Sequence, residues 1–184
     1  AFTREAIEFI DSRPTDVPFF LFLAYNAPHI PVYEPAPPEY REPFNTGNSA
    51  VDNYYAKIRA VDVGIERIRD RLVERGEWDN TFFVYFSDNG AVADSPHPRN
   101  APLRGFKGHL HQGGIRIPMV WRLPTTESVS PQLFEAPVSS MDILPTALGL
   151  AGIELAQETD GLNLISDFAR ESSHAEQRVL FYAG

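Results

Sequence analysis

Two unbroken apolar runs, Phe19-Phe20-Leu21-Phe22-Leu23-Ala24-Tyr25 and Thr81-Phe82-Phe83-Val84-Tyr85-Phe86, restrict what this chain can become more than any other feature. Neither alternates between apolar and polar residues, so each predicts a strand covered on both faces. Both fall far short of the ~20 apolar residues a membrane helix needs, and no transmembrane segment is expected. Between them, Val51, Tyr54, Ile58, Val61, Ile65, Ile68 and Leu72 recur at spacings of three and four, the stripe of an amphipathic helix. Ser49 with Asp52 fits a capping box at its start, and Gly76 fits its stop. The opposite side, with Lys57, Arg59, Glu66, Arg67, Asp70 and Arg71, reads most simply as a solvated charged face.

Around this centre, Thr3 is placed to cap a short helix with Ala6, Ile7 and Ile10 on one side, ending at Ser12-Arg13-Pro14. Ile115 to Trp121 is a third strand candidate, and Pro118 within it argues for an edge or irregular strand. Ser139 with Asp142 opens a last helix through Ile143, Leu144, Leu148 and Leu150, stopped by Gly152. The order strand, helix, strand, loop, strand, helix predicts an α/β domain with a mostly parallel sheet and flanking helices. Thirteen phenylalanines and seven tyrosines are too much apolar mass for a disordered tail. Twenty-five acidic against sixteen basic side chains argue against a surface that tracks nucleic acid. The absence of cysteine excludes disulfides, thiolate zinc sites and a cysteine nucleophile.

Ligands of open α/β sheets gather beyond the carboxyl ends of the strands. There the first run continues into Asn26-Ala27-Pro28-His29-Ile30-Pro31 and the second into Ser87-Asp88-Asn89-Gly90. Asp88 offers a carboxylate and Asn89 an amide oxygen, donors that suit a hard cation, although Asp-Asn-Gly is equally a self-sufficient turn. His29, held between prolines, is a candidate proton donor or an ordinary surface histidine. Arg104-Gly105-Phe106-Lys107-Gly108 sets two cations among glycines, where an ammonium and backbone N–H groups can meet an oxyanion, or where a loop is simply flexible. His109 and His111 would share a face of an extended segment, but a pair without a third ligand is poor grounds for a metal site.

Taken in order, these segments resemble the sulfatase family of the alkaline-phosphatase-like superfamily. The matching pieces are Pro18-Phe19-Phe20-Leu21 through Pro31, Asp79-Asn80-Thr81 through Gly90, Asn100 through Gly108, Gly113-Gly114-Ile115-Arg116-Ile117-Pro118, Asp142-Ile143-Leu144-Pro145-Thr146, Ala151-Gly152, and Asp160-Gly161. The resemblance implies hydrolysis of a sulfate ester borne by a small molecule or glycan. It implies that Asp88 and Asn89 are two ligands of a single divalent cation, generally Ca2+. Lys107 then contacts the sulfate group, and His29 lies near the bridging ester oxygen as proton donor to the departing alcohol. A periplasmic or secreted location also follows from the resemblance.

Two departures limit the match. The family often carries an aromatic-acid pair before Gly113-Gly114, where this chain has His111-Gln112. The family's nucleophile is a formylglycine made from a Cys/Ser-x-Pro-x-Arg motif, and neither Ser12-Arg13-Pro14-Thr15-Asp16 nor Ser95-Pro96-His97-Pro98-Arg99 fits it. The expectation is therefore an incomplete fold: residues 1–170 as the later portion of a sulfatase catalytic domain and 171–184 as the start of a C-terminal subdomain, its first strand at Arg178–Tyr182. The nucleophile would lie upstream, the rest of the parent domain would be its partner, and the chain alone would be inactive. Phosphodiester or phosphonate hydrolysis is the alternative within the superfamily, and Asn89 tilts against it, because those enzymes tend to place histidine there for zinc or manganese. A noncatalytic sulfatase-like binding module is the alternative outside catalysis. Substrate choice would lie in 32–48 and in His97–Gln112.

Overall fold

The computed structural model describes residues 1–29, 31, 34–93, 100–125, 133–169 and 174–182. The order is α1 (Phe2–Ser12), α2 (Pro38–Arg41), α3 (Ser49–Glu74), β1 (Phe83–Phe86), α4 (Gln112–Ile115), β2 (Met119–Arg122), α5 (Ile143–Leu150), α6 (Ile165–Phe168) and α7 (His174–Gln177). This is the expected α/β class. Ser95–Arg99, Ile30 and the boundary near residue 170 lie outside the described residues.

Helix α3 follows its apolar stripe in part: Val51, Val61, Ile68 and Leu72 are buried, Tyr54 and Ile65 half-buried, and Ile58 is exposed. Its cap is one residue earlier than expected. Asn48 accepts from the amides of Ala50 and Val51 at 3.0 and 3.4 Å, while Asp52 turns back to the amide and hydroxyl of Thr46 at 2.9 and 2.7 Å. Asn48 serves because its side-chain oxygen reaches the orphan amides of the first turn. Gly76, at φ 69°, ends the helix as anticipated. Helix α1 crosses α3 with Ala6 and Ile10 against Ile68 and Leu72. Thr3 lies inside α1, and its hydroxyl meets the Tyr25 hydroxyl at 2.8 Å instead of capping.

The first apolar run corrects the expectation of a strand covered on both faces. Residues 18–26 have no ladder partner among the described residues. Their side chains alternate: Phe19, Leu21 and Leu23 pack on the α1/α3 core, whereas Phe20 and Phe22 are 77% and 72% exposed. An extended chain sends successive side chains to opposite sides, and here only one side is backed by helices.

The second run does form a strand. β1 pairs with β2 antiparallel, Phe83 opposite Arg122 and Phe86 opposite Met119, so the described pair is not part of the parallel ladder that was expected. The third strand candidate splits around Pro118: Ile115 closes α4, and β2 starts at Met119, with the Pro118 carbonyl accepting from the Ser87 amide at 3.3 Å. Trp121 and Leu123 join a second core of Leu164, Phe168 and Ala175.

The capping box at Ser139 and Asp142 is present, leading through a 3-10 turn into α5, and Gly152 closes that helix at φ 68°. Asp142 is fully buried. It accepts from the amides of Ser139 at 2.7 Å and Leu162 at 2.9 Å, and Arg178 Nη1 lies 2.7 Å from both its oxygens. Residues 178–182 form no strand, contrary to expectation; Arg178 fastens that segment to Asp142 instead.

Candidate functional site

The Asp88-Asn89-Gly90 turn leaves β1 against the loop that runs from Asn100 to Gly114, and main-chain contacts hold the two together. Gly90 N donates to Gly114 O at 3.0 Å, and Lys107 N donates to Ala91 O at 3.0 Å. Glycine is required at this seam. A Cβ on Gly90 would run into Gly113 O, one on Gly113 into Gly105 O, and one on Gly114 into His109 O. The Ser87 hydroxyl bridges the turn to Asn89 O at 2.9 Å.

Sequence reasoning gave Asn100 no role, yet it clamps the seam. Its oxygen accepts from Ala91 N at 2.8 Å, and its amide nitrogen donates to Ala91 O at 3.2 Å and Gly105 O at 3.1 Å. A polar residue ahead of a glycine-rich loop was the available signal. Lys57 was also underread: from α3 it donates to Pro31 O at 2.5 Å, tying the end of the His29 loop to the helix. Arg71 likewise reaches Asp11 at 2.6 Å and Glu74 at 2.7 Å, so this face is partly engaged.

These supports bring two expected residues together. Lys107 Nζ lies 3.3 Å from His29 Nε2. An ammonium only donates, so in this contact the imidazole nitrogen accepts. The His29 turn is closed by its own amide, which donates to Asn26 O at 2.9 Å. Lys107 is half-buried and His29 exposed, so the pair opens to solvent. The Lys107 amide is bonded two residues beyond Asn89, which puts the Asp88-Asn89 turn beside the loop that presents the ammonium.

Asp88 is exposed and Asn89 half-buried. The Asn89 amide nitrogen donates to Gly90 O at 2.9 Å, leaving its side-chain oxygen as the atom able to serve a cation. A carboxylate and an amide oxygen suit a hard divalent ion, but they supply only part of the roughly six to eight oxygens that Ca2+ takes. Among the described residues no group of three or more His, Asp or Glu side chains is placed to hold a metal. His109 and His111 do not form such a centre; their ring centroids are 6.1 Å apart, and His109 stacks on Phe106 at 3.8 Å.

Comparison with known proteins bears on the chain as a whole. The protein-family profile described as Sulfatase matches residues 1–153. The uncharacterized sulfatase YdeN of Escherichia coli K12 is 42% identical over 168 residues, covering 89% of this chain and 29% of that protein. Human N-acetylgalactosamine-6-sulfatase is 32% identical over 191 residues, covering all of this chain and 34% of its own length. Among solved structures, Ps i-CgsB in complex with k-i-k-neocarrahexaose superposes with a TM-score of 0.83 at 36% identity, over 92% of this chain and 38% of that one. The chain thus spans 29% and 34% of the two curated relatives.

Proposed function

The chain belongs to the sulfatase family, whose alkaline-phosphatase-like fold it covers in part, and from that premise we propose that residues 1–170 carry one half of a site at which the whole protein hydrolyses a sulfate ester. Residues 171–184 would begin the C-terminal subdomain. The observation that carries the reading is the meeting of Lys107 Nζ and His29 Nε2 at 3.3 Å, a cation and a proton carrier facing the same space.

In this reading Lys107 binds a sulfate oxygen and holds the group against His29. The bound sulfate takes the Lys107 ammonium away from His29 Nε2, which leaves that nitrogen able to carry a proton; as the S–O bond to the alcohol breaks, its electron pair passes to the bridging oxygen, and His29 delivers the proton there. Lys107 meanwhile offsets the negative charge carried by the sulfate oxygens. Asp88 and the Asn89 side-chain oxygen would hold one side of a divalent cation such as Ca2+, which when bound would supply further positive charge to polarise the sulfate. The new bond to sulfur comes from a nucleophile outside residues 1–184, a formylglycine by family resemblance. Residues 1–184 alone are then inactive.

The full-length protein provides the test. It should release sulfate from an aryl sulfate or a sulfated saccharide, and release should fall on chelation. Faster release of phosphate from phosphodiesters or phosphonate esters would move the reading to the other branch of the superfamily. No release from any ester would leave a noncatalytic binding module.

A further inference from the structure

Only one of the chain's asparagines, Asn89, is followed by glycine. Asparagine before glycine is the pair most prone to close into a cyclic imide, because glycine has no side chain to obstruct the approach of its own nitrogen to the asparagine side chain. The glycine is compelled here: a Cβ at 90 would strike Gly113 O.

The structure engages both atoms that such a closure needs. Gly90 N, which would attack, donates to Gly114 O at 3.0 Å, and Asn89 Nδ2, which would leave, donates to Gly90 O at 2.9 Å. Gly90 is buried, and the residue after it is gripped on both its main-chain groups. Ala91 N donates to Asn100 Oδ1 at 2.8 Å, while Ala91 O accepts from Asn100 Nδ2 at 3.2 Å and from Lys107 N at 3.0 Å. A buried amide that is donating to a main-chain acceptor gives up its proton only when the structure around it opens.

We propose that Asn89-Gly90 is a latent modification site, converted to aspartate and isoaspartate when the Gly90–Gly114 contact opens, with the seam setting the rate. In the open form Gly90 N loses its proton to solvent and bonds to Asn89 Cγ. The Cγ–Nδ2 bond breaks, and Nδ2 takes a proton back from solvent and departs as ammonia. Water then adds to one of the two imide carbonyls. Cleavage of the new bond to Cγ leaves aspartate at 89 with the main chain restored; cleavage of the original peptide bond leaves the chain running through Cγ as isoaspartate. One water is consumed and one ammonia released, with no change of oxidation state. Both products put a carboxylate where the amide stood, and isoaspartate lengthens the main chain by one carbon, so Gly90 no longer falls opposite Gly114 when the loop recloses. The inference does not depend on the sulfatase reading; under that reading each conversion also spoils the turn beside the Lys107 loop.

The test incubates the full-length protein at mildly alkaline pH, digests it and measures isoaspartate at residue 89 by peptide mapping. The parent is compared with itself unfolded in guanidinium chloride and with Asn100→Ala, which releases Ala91. The native parent should convert at least about tenfold more slowly than the unfolded chain, and Asn100→Ala about fivefold faster than the native parent, the scale of one hydrogen bond's net contribution. Asn89→Gln, whose longer side chain does not close the same ring, should give no product there. If Asn100→Ala does not fold, the parent alone decides: hydrogen exchange of the Gly90 amide and conversion at 89 should rise together with temperature.

Equal rates in the native and unfolded parent, a folded Asn100→Ala no faster than the parent, or conversion while the Gly90 amide stays protected from exchange would each overturn the inference and leave the sulfatase reading untouched. Guarded conversion in a protein that hydrolyses no sulfate ester would uphold the inference and remove that reading.

Discussion

Lys107 Nζ meets His29 Nε2 at 3.3 Å although the two residues stand 78 positions apart in the chain. Each is delivered by its own supports: Asn100 and the Gly90/Gly114 contact for the lysine loop, Lys57 and the Pro31 carbonyl for the histidine loop. The two roles assigned to them make different demands on the substrate, and so they can be separated.

In the full-length protein, if it hydrolyses sulfate esters as proposed, His29→Ala should depress kcat by about 10²–10⁴-fold on an alkyl sulfate, the usual range for a lost general acid. The loss should be much smaller on a nitrophenyl sulfate, whose leaving oxygen hardly needs a proton. Lys107→Ala should depress turnover on both. Wild-type rates on the alkyl ester in either variant would refute the role given to that residue.

Gly90→Ala tests the seam. The new methyl meets the Gly113 carbonyl, which is main chain and has little room to yield. Overpacking of this kind costs about 1–3 kcal/mol. A lowered melting temperature with a parallel loss of turnover is expected. Ala at Gly47, where nothing lies within 4 Å, makes a comparison with open space around it, although its φ of 78° brings its own strain.

Asp142→Ala removes the only carboxylate that pairs with Arg178 among the described residues and strips the acceptors of two amides. Breaking a buried pair from one side costs about 3–5 kcal/mol. Denaturant unfolding should report a loss of that size. The double variant Asp142→Ala/Arg178→Met should recover part of it, because the guanidinium is no longer stranded; additive losses would argue against the pairing.

Two carboxylates set an acid limit on stability. Hydrogen bonds from the Thr46 amide and hydroxyl hold Asp52 below the usual carboxylate range. Burial pushes Glu77 up, but hydrogen bonds from Arg13 and Arg75 outweigh it, and the net shift is downward. A pKa lower in the folded than in the unfolded state contributes stability that is present above the unfolded value and is lost as pH falls through the folded one. Melting temperature should therefore decline below about pH 4. Glu77→Gln and Asp52→Asn should each flatten that decline while lowering the plateau at neutral pH. An acid limb as steep as the parent's in both variants would exclude these groups as its origin.

Helix positions were the most legible part of the sequence. The stripe from Val51 to Leu72 needs only its own periodicity, and the box at Ser139 and Asp142 only its local spacing, so both survive in the structure. The strands were harder to read. Phe19–Tyr25 and Thr81–Phe86 look alike as text, yet one pairs and the other does not, because pairing depends on what lies alongside rather than on the run itself. At the site, residue identities pointed to His29, Lys107, Asp88 and Asn89. The supports were harder to find: Asn100 left only the signal of a polar residue ahead of a glycine-rich loop, and Lys57 left none, since both act through main-chain oxygens and amides.

The seam between Gly90, Gly113 and Gly114 also fixes what a side-chain exchange can and cannot move. Because main-chain atoms and one asparagine hold the lysine loop in place, the position of the ammonium is written into the backbone. Trimming an exposed neighbour changes what surrounds that charge, whereas adding a single methyl at the seam displaces the charge itself.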